Sequence, residues 1–173
     1  MLTLTPMGLN DLRLVRSWLH QPHVARWYLG ASTIEDELDE LRQGVVGEEP
    51  TEVLLVLDGD RPLGWCQWYE CHDYPDHAVG VGAEENDVGI DYAIGEPTRI
   101  GQGLGTALIG ALVQHVRSRH AGVGVVADPE AANVASRRAL EKNGFQLLDE
   151  RSVPSEPTTA VMAIYRLPAV ASA

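Results

Sequence analysis

The sequence predicts an α/β domain in which helices flank a mixed β-sheet. Three observations support this fold class. The 173 residues are 45% hydrophobic, which is enough for one buried core. The first half of the chain contains two helical patterns and a hairpin, whereas the second half alternates strand, helix, strand, helix and strand. A glycine-rich segment at residues 99–106 separates one of these strands from its helix.

Two amphipathic helices are expected before the hairpin. Asn10 or Asp11 can cap the first, in which apolar residues recur at spacings of three and four. The second is expected to open at Ser32 or Thr33, because the acidic residues that follow favour a helix N-terminus. The segment between them, residues 22–28, is expected to be irregular.

The remaining elements follow from alternation, apolar runs and turn residues. A tight glycine turn joins the second and third strands in a hairpin. Further helices are expected at 104–119 and 133–142, the latter ended by Asn143 and Gly144. Residues 73–86 are expected to form an acidic loop. The expected strands are 2–5, 52–57, 61–69, 88–94, 123–127, 145–150 and 160–166.

The chain is strongly acidic. It has 13 basic and 25 acidic residues, a net charge of −12, and Lys142 as its only lysine, so nucleic acid is not an expected partner. No Lys or Arg stands between Arg61 and Arg99. That window is either a solvated acidic loop or a cleft that attracts a cationic substrate. Its acidic residues include Glu70, Asp73, Asp76, Glu84, Glu85, Asp87 and Asp91.

No apolar run is long enough to span a bilayer, and the first residues lack the basic and apolar blocks of an export signal. We therefore expect a cytoplasmic protein with no membrane partner. Cys66 and Cys71 are expected on opposite faces of one strand, as free buried thiols. His72 and His77 form only a loose cluster with Cys71, so no metal site is expected.

The segment at residues 99–106 has the composition of a phosphate-binding loop. Its three glycines let the backbone approach a ligand and adopt positive φ. The helix that follows presents unpaired N–H groups and the positive end of its dipole. The segment lacks the third glycine of the dinucleotide fingerprint and the lysine of nucleoside triphosphate loops. A plain turn and another kind of phosphate site are the interpretations that remain.

The order of elements, the glycine segment and residues 141–145 after the last helix together resemble the GNAT superfamily of acetyl-coenzyme A-dependent N-acyltransferases. The resemblance covers nearly the whole chain. It implies one acyltransferase domain over residues 1–168 and a frayed tail over residues 169–173. It also implies a mostly antiparallel central sheet that splays apart to form a cofactor cleft.

A closer resemblance is to the aminoglycoside 6'-N-acetyltransferases. It implies acetyl-coenzyme A as cosubstrate, no metal, and a cationic aminoglycoside as partner. Agreement extends into the N-terminal half, which shapes the acceptor site in this superfamily. The matching motifs are Trp18-Leu19, His23-Val24, Trp27-Tyr28, residues 64–69, Gly89-Ile90-Asp91, residues 103–106, Asp128-Pro129 and Asn133.

The same resemblance implies how the cofactor is held. The glycine segment and the start of its helix would bind the pyrophosphate, mostly through backbone donors. The strand before them would pair with the pantetheine arm as an added strand does, and three polar residues of the last helix would lie at the opposite end of the cleft. The expected set is Tyr92, Ala93, Ile94, Arg99, Ile100, Gly101, Gln102, Gly103, Leu104, Gly105, Thr106, Asn133, Arg138 and Lys142.

Two residues depart from the family pattern. Ile100 stands where many relatives have Arg or Gln, and Arg99 stands one place earlier. Leu140 stands where many relatives have a tyrosine that is thought to protonate the departing thiolate. A leucine cannot donate a proton, so water, Tyr69 or Tyr92 would have to supply it, or the reaction would be slower.

Asp91 is the expected catalytic residue. In a direct attack of an amine on the thioester, it would orient the ammonium group and accept its proton. The alternative is an aspartate that satisfies loop amides. Trp27 and Tyr28 are expected either to pack in the core or to form a wall for sugar rings. The expected substrate-binding set is Trp27, Tyr28, Gln67, Asp76, Asp91, Asp128 and Glu156.

Two other functions remain open. One is an acyltransferase of the same fold that acts on a protein N-terminus, a polyamine or a siderophore precursor. The other is a non-catalytic module that binds acetyl-coenzyme A as a sensed ligand, an alternative that Leu140 in place of a tyrosine keeps open. The expected oligomeric state is a monomer or a homodimer.

Overall fold

Seven strands form one sheet in the order β1-β2-β3-β4-β5-β7-β6. We describe a computed structural model in which residues 1–155 and 158–170 are placed. The elements are β1 (Leu2–Pro6), α1 (Leu12–Leu19), α2 (Pro22–Tyr28), α3 (Ile34–Val46), β2 (Thr51–Asp58), β3 (Arg61–Glu70), α4 (Pro75–Val81), β4 (Val88–Ile94), α5 (Leu104–Arg119), β5 (Val125–Ala127), α6 (Val134–Lys142), β6 (Gln146–Arg151) and β7 (Met162–Leu167).

The sheet is antiparallel except where β4 meets β5. These two strands pair in parallel at only two positions, Val88 with Val125 and Gly89 with Val126. β4 then continues to Ile94, whereas β5 ends at Ala127. The chain after β5 follows β7 instead, because the carbonyl of Pro129 accepts a 2.8 Å hydrogen bond from the Ala163 N–H. The sheet therefore splays open between β4 and β5, as predicted.

Apolar residues fill both faces of the sheet. Trp65 packs with Trp18 and the other apolar residues of α1 and α3, while Trp68 lies in the cluster formed mainly by α5 and the sheet. The two tryptophans lie three positions apart on β3, and strand alternation accordingly turns them to opposite faces of the sheet. Leu140 of α6 is fully buried in the second of these clusters.

The start of α3 agrees with the prediction. The Thr33 hydroxyl accepts a 3.2 Å bond from the Asp36 N–H, and the Asp36 carboxylate accepts a 2.9 Å bond from the Thr33 N–H. This reciprocal capping box fixes the first turn. The helix ends at Gly47, which has φ +76°.

Two segments that were expected to be irregular contain short helices. Residues 22–28 form α2 and residues 75–81, within the expected loop, form α4. Both have proline in the first turn, where its fixed φ favours a helix and its missing N–H costs nothing. Each helix also buries one valine, Val24 in α2 and Val81 in α4. This burial stabilises the helix through tertiary packing, which a short sequence pattern does not reveal.

The two cysteines are free and buried, as expected. The expectation that they share a strand is wrong, because Cys71 lies in a 3-10 turn that follows β3. Burial raises the pKa of both thiols, and that of Cys71 rises to about 12. Within the described parts of the chain, every helix is too short or too polar to traverse a lipid bilayer.

A buried ion pair holds the sheet together beside the splay. Arg166 of β7 donates 2.8 Å bonds to both carboxylate oxygens of Asp87, which is 2% exposed, and a 2.7 Å bond to Glu84. The pair passes over Gly124, the residue directly before β5, where a Cβ atom would lie 2.2 Å from Asp87 Oδ1. It therefore links the entrance of β4 to β7 across the strand between them.

We expect Asp87→Ala to lower the free energy of unfolding by about 3 kcal/mol or more, because the Arg166 guanidinium would lose its buried partner. Urea denaturation measures the change. Asp39→Ala is the matched control: it removes an exposed ion pair with Arg42 and should cost less than about 1 kcal/mol. Equal losses in the two variants would contradict the structural importance of the buried pair.

Candidate active site

The splay between β4 and β5 opens into a cleft of about 230 Å³, which we call the smaller cavity. In its antiparallel ladder with β3, every second residue of β4 directs its N–H and C=O groups toward β3. The N–H and C=O groups of the alternate residues point the other way, and beyond Gly89 they face the splay because β5 no longer pairs with β4. At the end of the strand, the Ile94 carbonyl lies 2.9 Å from His23 Nε2 of α2. The smaller cavity is lined by Trp27, Tyr28, Glu37, Glu40, Gln67, Ile90, Asp91, Tyr92, Ala127, Asp128, Pro129, Glu130, Asn133, Ser136 and Met162.

The glycine loop, residues 99–106, lies between β4 and α5 as expected. Gly101 and Gly103 have φ of +74° and +77°, and no atom lies within 4 Å of where their Cβ atoms would stand. In the described structure no side chain caps α5, which starts at Leu104. The first N–H groups of a 16-residue helix therefore point toward an open, glycine-lined surface.

Side chains of the same loop stabilise its shape. Gln102 donates a 2.9 Å bond to the Thr98 carbonyl, and Arg99 donates to Gln102 at 3.3 Å and to Asp58 at 2.5 Å. The Arg99 guanidinium holds the pKa of the Asp58 carboxyl below its usual range. Arg99 thus anchors the loop to the β2–β3 turn. The neighbouring Ile100 side chain is 49% exposed.

Helix α6 borders the opposite side of the cleft. The Asn133 side chain caps it by accepting a 3.2 Å bond from the Ser136 N–H, and the Ser136 hydroxyl lies 2.7 Å from the Tyr92 hydroxyl. Near its other end, Asn143 donates a 3.0 Å bond to the Thr106 carbonyl in the first turn of α5. Arg138 and Lys142 are exposed on α6 and do not line the smaller cavity.

Leu140 lies one turn after Ser136 on the same helix face, but it is fully buried in the core. The hydroxyl groups that line the cleft near this helix are those of Tyr92 and Ser136. Burial raises the pKa of Tyr92, so its hydroxyl keeps its proton well into the alkaline range.

Asp91 lies directly across the β3–β4 ladder from Gln67, whose side-chain amide donates a 3.0 Å bond to the Asp91 carboxylate. Burial raises the pKa of Asp91, and the Gln67 bond and the nearby His77 oppose that shift. Strand alternation turns Asp91 and Ala93 toward α1–α3, and Tyr92 toward α5 and α6. The carboxylate therefore faces the N-terminal helices, in the half of the chain where the resemblance predicts the acceptor site.

A larger cavity of about 780 Å³ adjoins the smaller one and shares Tyr28, Glu37, Glu40 and Gln67 with it. No Lys or Arg is among the described residues that line either cavity. The larger cavity is therefore strongly negative and suited to a cation. Its acidic lining residues are Asp36, Glu37, Asp39, Glu40, Glu49, Asp73 and Asp76.

His77 of α4 is a site residue that sequence reasoning assigned only to a loose metal cluster. Its Nδ1 lies 2.9 Å from the Ser155 hydroxyl and its Nε2 lies 3.7 Å from Asp128, whose side chain is 8% exposed. Burial lowers the pKa of His77, and the charge of Asp91 opposes that shift. His77 thus connects the wall of the larger cavity to Asp128 in the smaller one.

The other predicted substrate residues divide between the two cavities. Tyr28 lines both and packs on Trp65 with ring centroids 4.8 Å apart, so it is both a core residue and a wall. Trp27 lines the smaller cavity, with the Arg26 guanidinium 4.5 Å from its ring centre. Asp76 is exposed in the larger cavity. Glu156 lies outside the described residues.

Glu37 and Glu40 of α3 line both cavities and were not expected. A signal for them was present in the sequence. Residues three apart on a helix share a face, and each of the two precedes an apolar residue that is buried, Leu38 or Leu41, which indicates the edge of the core. The acidic residues between Arg61 and Arg99 do not all form one loop or one cleft. Asp73, Asp76 and Asp91 line the cavities, whereas Glu84 and Asp87 pair with Arg166.

The expected cluster of His72 and His77 with Cys71 does not come together as a ligand set among the described residues. His72 instead lies with Glu70 and Asp73, and the ligand atoms of these three are within 4.8 Å of one another. Two of them are exposed, and exposed acidic groups of this kind are common without an ion.

Comparison with known proteins agrees with this geometry. Residues 8–153 match the model of the acetyltransferase (GNAT) domain. Aminoglycoside N(6')-acetyltransferase type 1 of Klebsiella pneumoniae is 28% identical over 161 residues, which are 90% of this chain and 79% of that protein. A kanamycin resistance protein of Rhizobium radiobacter is 32% identical over 77 residues, 43% of this chain and 71% of its own length.

The fold is also similar to solved structures. Aminoglycoside acetyltransferase AAC(6')-Ib in complex with coenzyme A superimposes with a TM-score of 0.83 at 23% identity, covering 97% of this chain and 95% of that one. The same enzyme with kanamycin and coenzyme A has the same values. This chain belongs to the GNAT acetyltransferase family, which confirms the predicted family and fold class.

We expect Gly103→Ala to lower the free energy of unfolding by about 1–2 kcal/mol, because an L-residue is strained at φ +77°. The strain should also displace the N–H groups at the start of α5 and weaken binding of coenzyme A, measured by calorimetric titration. Gly105→Ala is the control: the position is helical and open, so it should be neutral or stabilise by up to about 1 kcal/mol. Equal responses of the two variants would contradict a special conformation at Gly103.

Proposed function

We propose that this protein is an acetyl-coenzyme A-dependent N-acetyltransferase that acetylates the 6'-amino group of aminoglycosides. The observation that carries the proposal is the position of Asp91. This carboxylate lies in the cleft of the splayed sheet, which adjoins a large acidic cavity whose described lining contains no Lys or Arg. The 28% identity to an aminoglycoside N(6')-acetyltransferase over 90% of the chain supports the same acceptor.

The residues around the splay fit acetyl-coenzyme A. Gly101 and Gly103 leave open space where side chains would otherwise block a diphosphate, and the uncapped start of α5 offers N–H donors to it. The unpaired edge of β4 beyond Gly89 can form strand-like hydrogen bonds with an amide-bearing arm. When bound, the cofactor supplies an acetyl group activated as a thioester.

Asp91 would hold the ammonium group of the acceptor and accept its proton, which leaves a neutral amine able to attack. Burial makes this carboxylate a stronger base than an exposed aspartate, while Gln67 keeps it oriented by a 3.0 Å hydrogen bond. N–H groups of β4 that face the splay, near Tyr92 or Ala93, would stabilise negative charge that develops on the carbonyl oxygen. No serine or cysteine nucleophile is required.

The acidic cavity favours an acceptor with several cationic groups. Asp76 lines the larger cavity and Asp128 the smaller one, so the two carboxylates would contact different amino groups of a rigid sugar. Each charge-assisted hydrogen bond contributes roughly 1.5–3 kcal/mol, so two or three would select a polycation over a monoamine. Tyr28 and Trp27 would supply flat apolar surfaces for sugar rings.

The test is thiol release from acetyl-coenzyme A with kanamycin-type aminoglycosides, polyamines and N-terminal peptides compared side by side. Turnover only with aminoglycosides that carry a 6'-amine is the expected result. Turnover with peptides or polyamines alone would replace the proposal by another acceptor class. Binding of acetyl-coenzyme A without any turnover would favour a sensor, the function that Leu140 leaves open.

We expect Asp91→Asn to reduce kcat by roughly 10²–10⁴-fold, because the amide cannot accept the ammonium proton. Steady-state kinetics with kanamycin measures the effect, and the affinity for coenzyme A should not change. Asp76→Asn is the comparison variant, which should raise KM for kanamycin with little change in kcat. An Asp91→Asn enzyme with normal kcat would remove the catalytic role.

We expect the Tyr92 hydroxyl to donate the proton to the departing thiolate, since Leu140 is buried and cannot. Tyr92→Phe should lower kcat by roughly 10²-fold or more and remove any alkaline decrease of kcat that follows Tyr92 ionisation. Because burial raises the pKa of Tyr92, the decrease of kcat should occur at a pH above the usual pKa of a tyrosine side chain. The pH profile of kcat tests this. An unchanged profile in Tyr92→Phe would exclude Tyr92 and leave water or Tyr69 as the donor.

A further inference from the structure

Glu37 occupies the junction of the two cavities. It is one of the residues that line both, yet it is only 8% exposed. Its neighbours on α3 explain this burial, because Leu38 and Leu41 are 7% and 3% exposed and hold the helix against the core. The carboxylate is therefore fixed by a rigid element rather than by a mobile loop.

The surroundings of Glu37 are almost entirely negative or neutral. Glu40 and Asp36 act on it from its own helix, Asp91 from β4 and Tyr28 from α2, while Ser32 beside the N-terminus of α3 opposes the rise in its pKa. His77 of α4, the basic side chain in the larger cavity, has a pKa lowered by burial and is mainly neutral near pH 7. Lys and Arg are absent from the described lining of both cavities.

Burial and these like charges both disfavour the ionised form. The pKa of Glu37 rises to about 7, with burial as the larger cause and Glu40 next. In the empty cleft, the carboxyl is consequently protonated in about half of the molecules at neutral pH.

We propose that Glu37 is a specificity-determining residue that binds a second ammonium group of the acceptor and releases its proton to solvent when that cation arrives. The proposal rests on the proposed function, because it assigns a role in the same cleft. A positive charge within about 4–6 Å favours the ionised carboxylate. One proton leaves as one cationic group enters, so the net charge of the site does not change.

This exchange has a consequence for acceptor choice. Asp91 and Glu37 both line the smaller cavity of about 230 Å³, so the second ammonium must lie close to the reacting one. A monoamine that reaches Asp91 leaves Glu37 without a cationic partner and gains no affinity from it. Acceptors with two neighbouring amino groups therefore gain affinity from Glu37 that simple amines do not.

The exchange also makes binding depend on pH in a defined direction. Glu37 must lose its proton to bind the cation, so protons compete with the acceptor below a pH of about 7. For a group with this pKa, the apparent affinity for a diamine-bearing acceptor should fall about tenfold between pH 8 and pH 6. Acceptor amino groups that lose protons as the pH rises act in the opposite direction, so the contribution of Glu37 is the difference between the wild type and a variant without this carboxyl.

Calorimetric titration of the full chain with kanamycin tests the proposal. Coenzyme A is present throughout, the pH is 6.5, and two buffers with different ionisation enthalpies report the number of protons released. We expect Glu37→Gln to release about 0.8 proton fewer than the wild type, because glutamine carries no titrating proton. Comparing the two proteins removes the contribution of the kanamycin amines, which is common to both.

Two further variants separate Glu37 from its neighbours. Glu40→Gln removes the charge that, after burial, does most to raise the pKa of Glu37, so it should reduce the proton release in part, whereas Glu37→Gln removes all of the release that belongs to Glu37. Glu85→Gln alters an exposed residue outside both cavities and should behave as the wild type. If Glu37→Gln does not fold, the wild-type KM for kanamycin between pH 6 and pH 8, compared with that for a monoamine, tests the same exchange.

The outcomes distinguish this inference from the proposed function. Equal proton release by wild type and Glu37→Gln, with kanamycin still acetylated, would overturn the inference and leave the function intact. A loss of release in Glu37→Gln without acetylation would support the binding role while the function fails. Absence of kanamycin binding to the wild type would overturn both.

Discussion

The divergence of β4 from β5 is the constraint on which the rest of this structure depends. The strands pair at two positions only, and the chain after β5 follows β7 because of the Pro129 carbonyl bond to Ala163. At the paired end, the buried contact between Asp87 and Arg166 crosses β5 and keeps the sheet continuous. A gap with unpaired backbone groups is thereby held open inside an otherwise continuous sheet. The free energy lost by leaving these groups unpaired is offset by the packing around them.

The alternation of β4 assigns different chemistry to the two sides of this gap. Tyr92 points toward α5 and α6, where the glycine loop and the start of α5 offer N–H donors to an anion. Asp91 points toward α1–α3, where Glu37 and Glu40 add negative charge. An anionic ligand on one side and a cationic ligand on the other can then meet at one strand. The proposed transfer reaction requires that arrangement.

Local patterns in the sequence predicted much of this site. The strand at residues 88–94, the glycine loop and the expectation for Asp91 all rest on short contiguous segments, and the structure brings them together. Gln67 was also expected, from its place on the hairpin, and the register of β3 with β4 sets it opposite Asp91. The short helices α2 and α4 were not predicted, because their stability comes from burying Val24 and Val81 rather than from a repeating pattern.

The sequence by itself determined the order of elements, the place of the glycine loop between a strand and a helix, the net charge of −12 and the family. Only the tertiary structure decided which acidic residues share a cavity. Glu37 and Asp91 are 54 positions apart, and His77 and Asp128 are 51 apart, yet each pair interacts in the fold. Their burial, and with it the shifted pKa of Glu37 and His77, follows from how α3 and α4 pack beside the sheet. Desolvation depends on neighbours in space, which spacing along the chain does not specify.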